Sequence, residues 1–500
     1  MKVEDSLKKR YGIKLFTNII SAVIGAVLVA IVPKALGPVI YGQFIYIQDF
    51  FAKVIGFLDM GSSTAFFTKL SANNRRKELI SFYFIYSFII LLFISLFVIF
   101  ITAFKVSQDI LPNIPNQYIY MGLFYGFFLW ITQIFTKISD AYALTISVEL
   151  KRIIHKIISL FLLIYFIYFT IFDLDKYFLF QYISLISFLF ILIWIFIKKD
   201  IFINISQFRI QNPKSLIKEF IEYCQPLVIY SILSLIVGFL DIWMLQTFGG
   251  SIQTGFYGLA YSLAAMCFLF TSAMTPVIMR EFAKYFHKNN IKEMRKLFYR
   301  YIPMLYSISA YFSIFISMQS EIVLEIFTDE QFKDAYSILI VMALYQIHQT
   351  YGQLSGSIFY ATGQTKLVRN ISFFTMPFGL LISFILIYIL DLGAIGLAYK
   401  MIITQFIGVN IQLYFNSKLL DFDMKYFLWH QFYTILFFTS IAFISINLIN
   451  IDKPIISFLS SGFLYTILVI ILTYIFPQVF ATNRDEIKEI LIRLKDVIKK

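Results

Sequence analysis

Charge is scarce in this chain: only 14% of its 500 residues are Asp, Glu, Lys or Arg. That shortage excludes an ordinary soluble surface, for which about a quarter of residues are charged. Cysteine is scarcer still. Cys224 and Cys267 both fall at or within apolar runs, so no extracellular disulfide framework is available. Four unclustered histidines give no metal-ligand spacing. No GxxxxGK(S/T) run and no long hydrophilic stretch occur, so neither bound ATP nor a soluble catalytic domain is expected to drive an activity here. The net charge of +13 has no basic soluble fold to carry it, which argues against a nucleic-acid partner.

Apolar residues fill the space left by charge. They make up 59% of the chain, with 59 Phe and 33 Tyr. Runs long enough to cross a hydrocarbon layer of about 30 Å as helices recur throughout. They predict spans at 15–33, 42–67, 79–103, 118–139, 156–172, 178–197, 224–246, 255–278, 301–320, 336–361, 368–390, 393–414, 427–448 and 455–477. Because so many runs follow the first, a cleaved signal peptide is a poor reading of it.

The cations test that count. Of 42 Lys and Arg, 35 fall in the N-terminal segment, the even-numbered gaps and the tail, and five in the odd-numbered gaps. The positive-inside rule then predicts both termini in the cytoplasm of a multi-pass protein of the cell membrane. Lys53 and Lys400 are left over, inside spans two and twelve. Anionic lipids of the cytoplasmic leaflet are the expected partners of Lys8, Lys9, Arg10 and the 280–300 cluster. In that cluster, cations from Arg280 to Lys296 alternate with Phe282, Phe286 and Leu297, a pattern that predicts an amphipathic helix lying on the membrane surface.

A weak internal repeat accompanies the spans. Leu36-Gly37-Pro38 and Tyr41-Gly42 correspond to Phe248-Gly249-Gly250, Gly255 and Gly258, about 212 residues on. Glycine there permits tight turns or positive φ between long helices. An even number of spans per unit makes the repeat parallel. The expected divisions are an N-terminal six-helix lobe at 1–197, a cytoplasmic linker at 198–223, a C-terminal six-helix lobe at 224–414, an added two-helix unit at 415–480 and a basic tail at 481–500. Gly363-Gln364 reads as a glycine-closed helix end.

Polar groups inside spans are the candidate functional residues, because charge in hydrocarbon is expensive. Lys53 shares a helix face with Asp49, four residues away. Two readings stand: an ion pair that locks the helix, or a cation offered to an anionic headgroup. Asp59 is a coupling carboxylate or a structural acceptor for neighbouring helices. Asp241 is either an interfacial residue near Trp243 or a second ion-coupling candidate, with Lys53 or Lys400 as its partner. Lys400 shares span twelve with Gln405, Asn410 and Gln412, a polar stripe suited to a cavity wall. Span ten carries Gln346, His348, Gln349 and Gln353, and span eight Tyr257 and Tyr261. His348 can exchange protons near neutral pH, though helix-to-helix hydrogen bonding accounts for it equally.

These residues together resemble a known family. The Leu36-Gly37-Pro38 and Tyr41-Gly42 turn, Asp59-Met60-Gly61, Asp241 and Ala361-Thr362-Gly363-Gln364-Thr365-Lys366 are similar to the polysaccharide-biosynthesis flippases of the O-antigen type. Those belong to the multidrug/oligosaccharidyl-lipid/polysaccharide superfamily. The resemblance implies an all-α polytopic membrane protein of about 14 transmembrane helices, with two parallel six-helix lobes in a V-shaped arrangement plus a C-terminal helix pair. It implies alternating access, no covalent step and no cofactor, with a proton or sodium gradient as the energy source. The implied cargo is a polyprenyl-diphosphate-linked oligosaccharide, moved from the cytoplasmic to the outer leaflet. Lys53 and Lys400 would attract its diphosphate. Gln346, Gln349, Gln353, Tyr257 and Tyr261 would meet its sugars, while Asp59, Asp241 and His348 would couple an ion. Polysaccharide polymerase or glycosyltransferase machinery is the implied protein partner. An ion-coupled multidrug exporter and a noncatalytic assembly scaffold are the alternatives.

Overall fold

A computed structural model describes residues 7–72, 76–142, 144–199, 201, 210, 212–449 and 451–486. Regular structure among them is helical throughout. Two compact units result, Met1–Gly255 and Phe256–Lys500.

The first unit opens on α1, Leu7–Asp59, interrupted at Gly37 where φ is 73° and ψ 166°. Only glycine adopts that backbone without strain. The apolar stretch Val23–Asp59 has 37 residues, or about 55 Å at helical rise, too long for one crossing. The break at Gly37 therefore separates two crossings. Met60 and Gly61, both at positive φ, end α1 and lead into α2, Ser62–Ala72. Next come α3 (Glu78–Ala103), α4 (Ser107–Ile110), α5 (Asn116–Ala141), α6 (Thr145–Phe169) and α7 (Leu174–Lys198). One edge of α3 is left for lipid, with Phe88, Leu92 and Phe93 all exposed. Asp173 caps α7 through the Lys176 amide at 2.9 Å.

α8, Pro213–Met244, starts from an Asn212 cap with proline in its first turn. It passes through one wide turn, Leu245–Gly249, to a second glycine break at Gly250, φ 73°. α9, Gly250–Ala264, follows. The matching conformations of Gly37 and Gly250 are the structural counterpart of the repeat seen in the sequence. Gly42 and Gly255 serve a different purpose: close approach. A Cβ on Gly42 would lie 1.7 Å from the Ser251 carbonyl oxygen, and one on Gly255 2.3 Å from that of Pro38.

The second unit holds α10 (Leu269–His287), α11 (Ile291–Met318), α12 (Ser320–Phe327), α13 (Tyr336–Ala361), α14 (Thr365–Ser383), α15 (Gly393–Leu420), α16 (Met424–Asn447) and α17 (Pro454–Ile475). Its core includes Phe298, Tyr306, Tyr351 and Tyr465. The last helix pair belongs to this core. Tyr465 of α17 stacks on Tyr311 and Phe315 of α11 at 4.9 and 5.0 Å. Ser307 and His430 both reach the Val479 carbonyl. α13 ends as expected, with Gly363 at φ 70° and the Gln364 amide returning to Phe359 O at 2.7 Å.

Eleven helices among the described residues are long and apolar enough to span a membrane. Two are double-length, Val23–Asp59 and Ser231–Ser272, and the polar α13 falls outside the apolar set. Dividing the long pair at their glycines and counting α13 gives the number of crossings that the sequence predicts. One expectation fails. Residues 280–300 form no surface helix: α10 continues to His287, turns at Lys288–Asn290, and α11 runs on from Ile291 into its span. The cation-and-Phe pattern is thus carried by the ends of two membrane helices. The Arg280 and Lys284 side chains lie outside the described set, as do residues 1–6, the Lys8, Lys9 and Arg10 side chains and the tail from 487.

Candidate functional site

Lys53 lies on α1 with its ammonium on the Asp49 carboxylate, and it also donates to the Gly238 carbonyl of α8. Four residues of helix separate the two charges, so the pairing follows from spacing alone. Access for Lys53 comes from a notch: a Cβ on Gly238 would stand 2.8 Å from Lys53 Cε. Asp241, one turn further along α8, is buried and acts electrostatically on Asp49. The first unit therefore gathers one lysine and two carboxylates about a single helix seam. The Trp243 indole nearby donates to Asp109 O at 2.7 Å.

Asp59 is a hub of hydrogen bonds. It accepts from Ser62 Oγ at 2.9 Å, the Ser63 amide at 3.0 Å, Ser63 Oγ at 2.7 Å and Tyr83 OH at 2.7 Å. Two of the donors start α2, so the carboxylate caps that helix across the Met60–Gly61 break. Lys137 of α5 donates to Ser63 Oγ at 2.6 Å and adds a positive charge near Asp59. Counting by gaps assigns Lys137 to the cytoplasmic loop; the structure puts it inside α5, against the Asp59 group. Its place at the end of span four was the available signal.

Lys400 is buried on α15 beside Gly379 of α14. A Cβ on that glycine would be 3.0 Å from Lys400 Cε, so this lysine also occupies a glycine notch. Along the same helix, Gln405 packs on Gly352 and Gln412 faces Gly356 of α13. Ser355 donates to Gln412 Oε1 at 2.9 Å, and Asn416 Nδ2 donates to the Ser355 carbonyl at 3.0 Å. Much of the polarity of spans ten and twelve is thus spent on joining α13 to α15.

The remaining candidates divide by exposure. Gln346 and His348 are buried, Gln349 is half-buried beside Tyr345 OH at 3.1 Å, and Gln353 is exposed. The His348 ring meets Phe406 at 5.1 Å. Tyr257 is half-buried and Tyr261 exposed, with rings 6.2 Å apart one turn apart on α9. The structure brings Lys53 and Asp241 together; Asp59 is in a separate network of the same unit. Lys400, the glutamines, His348 and both tyrosines belong to the second unit.

At one end of the first unit, Glu219 receives Lys69 at 2.8 Å and Arg76 at 3.1 Å. Hydrogen bonds from Arg76, then Lys69, push its carboxyl down to about 2. This ties the start of α8 to α2 and to the segment before α3.

Comparison with known proteins now bears on this arrangement. The model of the family described as polysaccharide biosynthesis protein matches residues 7–280, and that described as MatE matches 226–385. Among solved structures, the lipid II flippase MurJ in an inward closed conformation is 15% identical, with 93% of this chain and 98% of that one covered at a TM-score of 0.66. An inward-facing multidrug-resistance transporter of the MATE family is 14% identical over 84% and 96%, at 0.61. A superfamily transporter from Pyrococcus furiosus, whose binding pocket has reversed polarity, is 15% identical over 84% and 97%, at 0.56. No curated protein sequence matches. The fold is that of the polytopic membrane transporters of the multidrug/oligosaccharidyl-lipid/polysaccharide superfamily. Within that class, the chain belongs to the polysaccharide biosynthesis protein family.

Proposed function

We propose that this protein is an alternating-access flippase for a polyprenyl-diphosphate-linked oligosaccharide, moving it from the cytoplasmic to the outer leaflet during surface glycan assembly. Family membership over residues 7–280 carries the reading. The fold shared with a lipid II flippase supports it. In this scheme Lys53 and Lys400 attract the diphosphate, each from its own lobe. Glycine at 238 and 379 lets each lysine stem lie close against the neighbouring helix. Sugars meet neutral donors and acceptors, Gln346, Gln349 and Gln353 with Tyr257 and Tyr261, which bind hydroxyl groups without holding them as charges would. The prenyl tail stays in lipid, alongside α16 and α17.

Asp241 is the favoured coupling group. A proton or sodium ion near Asp49 and Asp241 would loosen Lys53 from its carboxylate and free it for diphosphate. An ion that binds one state more tightly shifts the population toward it. His348 is a second site for such coupling. For Asp59 the four donors support the structural role. Both termini face the cytoplasm, and polymerase or glycosyltransferase machinery receives the cargo.

The experiment is reconstitution. Proteoliposomes carrying a fluorescent polyprenyl-diphosphate glycan are expected to expose it on the opposite leaflet, faster with a proton or sodium gradient. The match to the MatE model over 226–385 favours one second reading, an ion-coupled multidrug exporter. Gradient-driven movement of organic cations with no movement of the glycan would choose that reading instead.

A further inference from the structure

The second unit carries an open pocket of about 470 Å³ at one end. Arg295, Lys296 and Arg300 line it together with Tyr299, Tyr426 and Thr482, and no carboxylate is among its lining residues. Three spans have their ends here: α11 begins at Ile291, α16 begins at Met424, and α17 stops at Ile475. The pocket therefore sits where helices leave the hydrocarbon, at the depth of lipid headgroups. Tyr299 and Tyr426, rings 5.3 Å apart, give it an aromatic side of the kind found at membrane boundaries.

The cations are held in place without being used up. Arg295 Nε donates to Leu420 O at 2.7 Å, which fixes the guanidinium, and its Nη2 reaches Asp421 at 2.8 Å. Asp421 is 91% exposed, so water screens that pairing and a phosphate can replace it. Lys296 rests on Glu293 and is itself 73% exposed, so water screens this pair too. Arg300 meets Glu486 at 2.6 Å, which brings the segment after α17 onto α11 and completes the wall. Three fixed donors around an open space suit a phosphate better than a carboxylate-rich or neutral ligand.

We propose that this pocket binds the phosphate of an anionic phospholipid from the adjoining leaflet, at a site separate from the transported cargo. The purified full chain is titrated with short-chain phosphatidylglycerol or phosphatidylcholine, and retained lipid is counted by native mass spectrometry. Phosphatidylglycerol is expected to bind about tenfold better, because the choline cation beside the phosphate of phosphatidylcholine would stand against Arg295, Lys296 and Arg300. Arg295→Gln with Arg300→Gln should abolish the preference. Asp421→Asn should raise it about threefold, by removing the competing carboxylate. Lys453→Gln, exposed at the other end of α17 and outside the pocket, should leave it unchanged. If the double variant does not fold, Lys296→Gln must still reduce the preference. Equal retention of both lipids, an equal loss in Lys453→Gln, or no effect of Lys296→Gln would overturn the proposal. So would displacement of the lipid by free glycerol phosphate at the same concentration, which would make the ligand a soluble phosphate.

Discussion

Lys53 and Lys400 each lie over a glycine of a neighbouring helix, yet the polar groups along their helices differ in kind. Around Lys53 the polar groups are charged: Asp49 bonds it, Asp241 lies near, and a backbone carbonyl completes the set. Along the Lys400 helix they are mostly neutral, with Gln405 and Gln412 packed on glycines and Ser355 and Asn416 crossing the seam. The two units are both all-helical, but they do not share the same polar chemistry. Embedded charge must be compensated nearby, so the first unit holds its carboxylates close to its lysines. Amides and hydroxyls need only hydrogen-bond geometry, so the second unit spreads them along a helix interface.

The comparison breaks most severely at Asp59. Asp59→Ala should cost about 3–5 kcal/mol, because it leaves Tyr83 and two serines without their shared acceptor and Lys137 without its nearby negative charge. Thermal unfolding in detergent measures it, and a loss below about 1 kcal/mol would remove the capping role. Lys53→Gln comes next, at about 1–3 kcal/mol, since Asp49 would lose its paired cation while Asp241 still acts on it. Adding Asp49→Asn should restore most of that stability. If the double variant is no better, the pair is not what holds the seam.

In the neutral seam the same experiment should register less. Ser355→Ala should cost about 1 kcal/mol or under, in keeping with hydrogen bonds between membrane helices. A loss as large as that of Lys53→Gln would erase the contrast between the units. The smallest effect is expected at Glu219. Its carboxyl is depressed to about 2, so its contribution is complete above the ordinary value of 4.5 and fades as pH falls toward 2. Being partly exposed, it should contribute under about 1 kcal/mol. Glu219→Gln should remove that small contribution at neutral pH and flatten the stability profile in the acid window, so that the two proteins converge as pH falls toward 2.

Local features were legible in the sequence and distant ones were not. Long apolar runs gave the spans, because helix length must match the membrane. Gly37 and Gly250 marked the double-length helices, and the four-residue spacing of Asp49 and Lys53 gave their contact. The Gly238 carbonyl is 185 positions from Lys53 and Tyr83 is 24 from Asp59, separations that no spacing rule connects. The 280–300 segment misled for a related reason. Cations between phenylalanines describe a surface helix and the ends of two spans equally well, and only the turn at Asn289 separates them. Gln405 and Gln412 of span twelve drew attention as a cavity wall, while their partners Gly352 and Gly356 were four residues apart on span ten.

The most direct test is translocation of a polyprenyl-diphosphate glycan in proteoliposomes by the wild-type chain, Lys53→Gln/Lys400→Gln and Lys53→Arg/Lys400→Arg, with folded protein matched between samples. The account predicts at least about a hundredfold loss in the glutamine variant, as expected when two charge-assisted phosphate contacts disappear. The arginine variant should recover part of the rate. Undiminished translocation with both lysines neutral would contradict the assignment of diphosphate binding to Lys53 and Lys400.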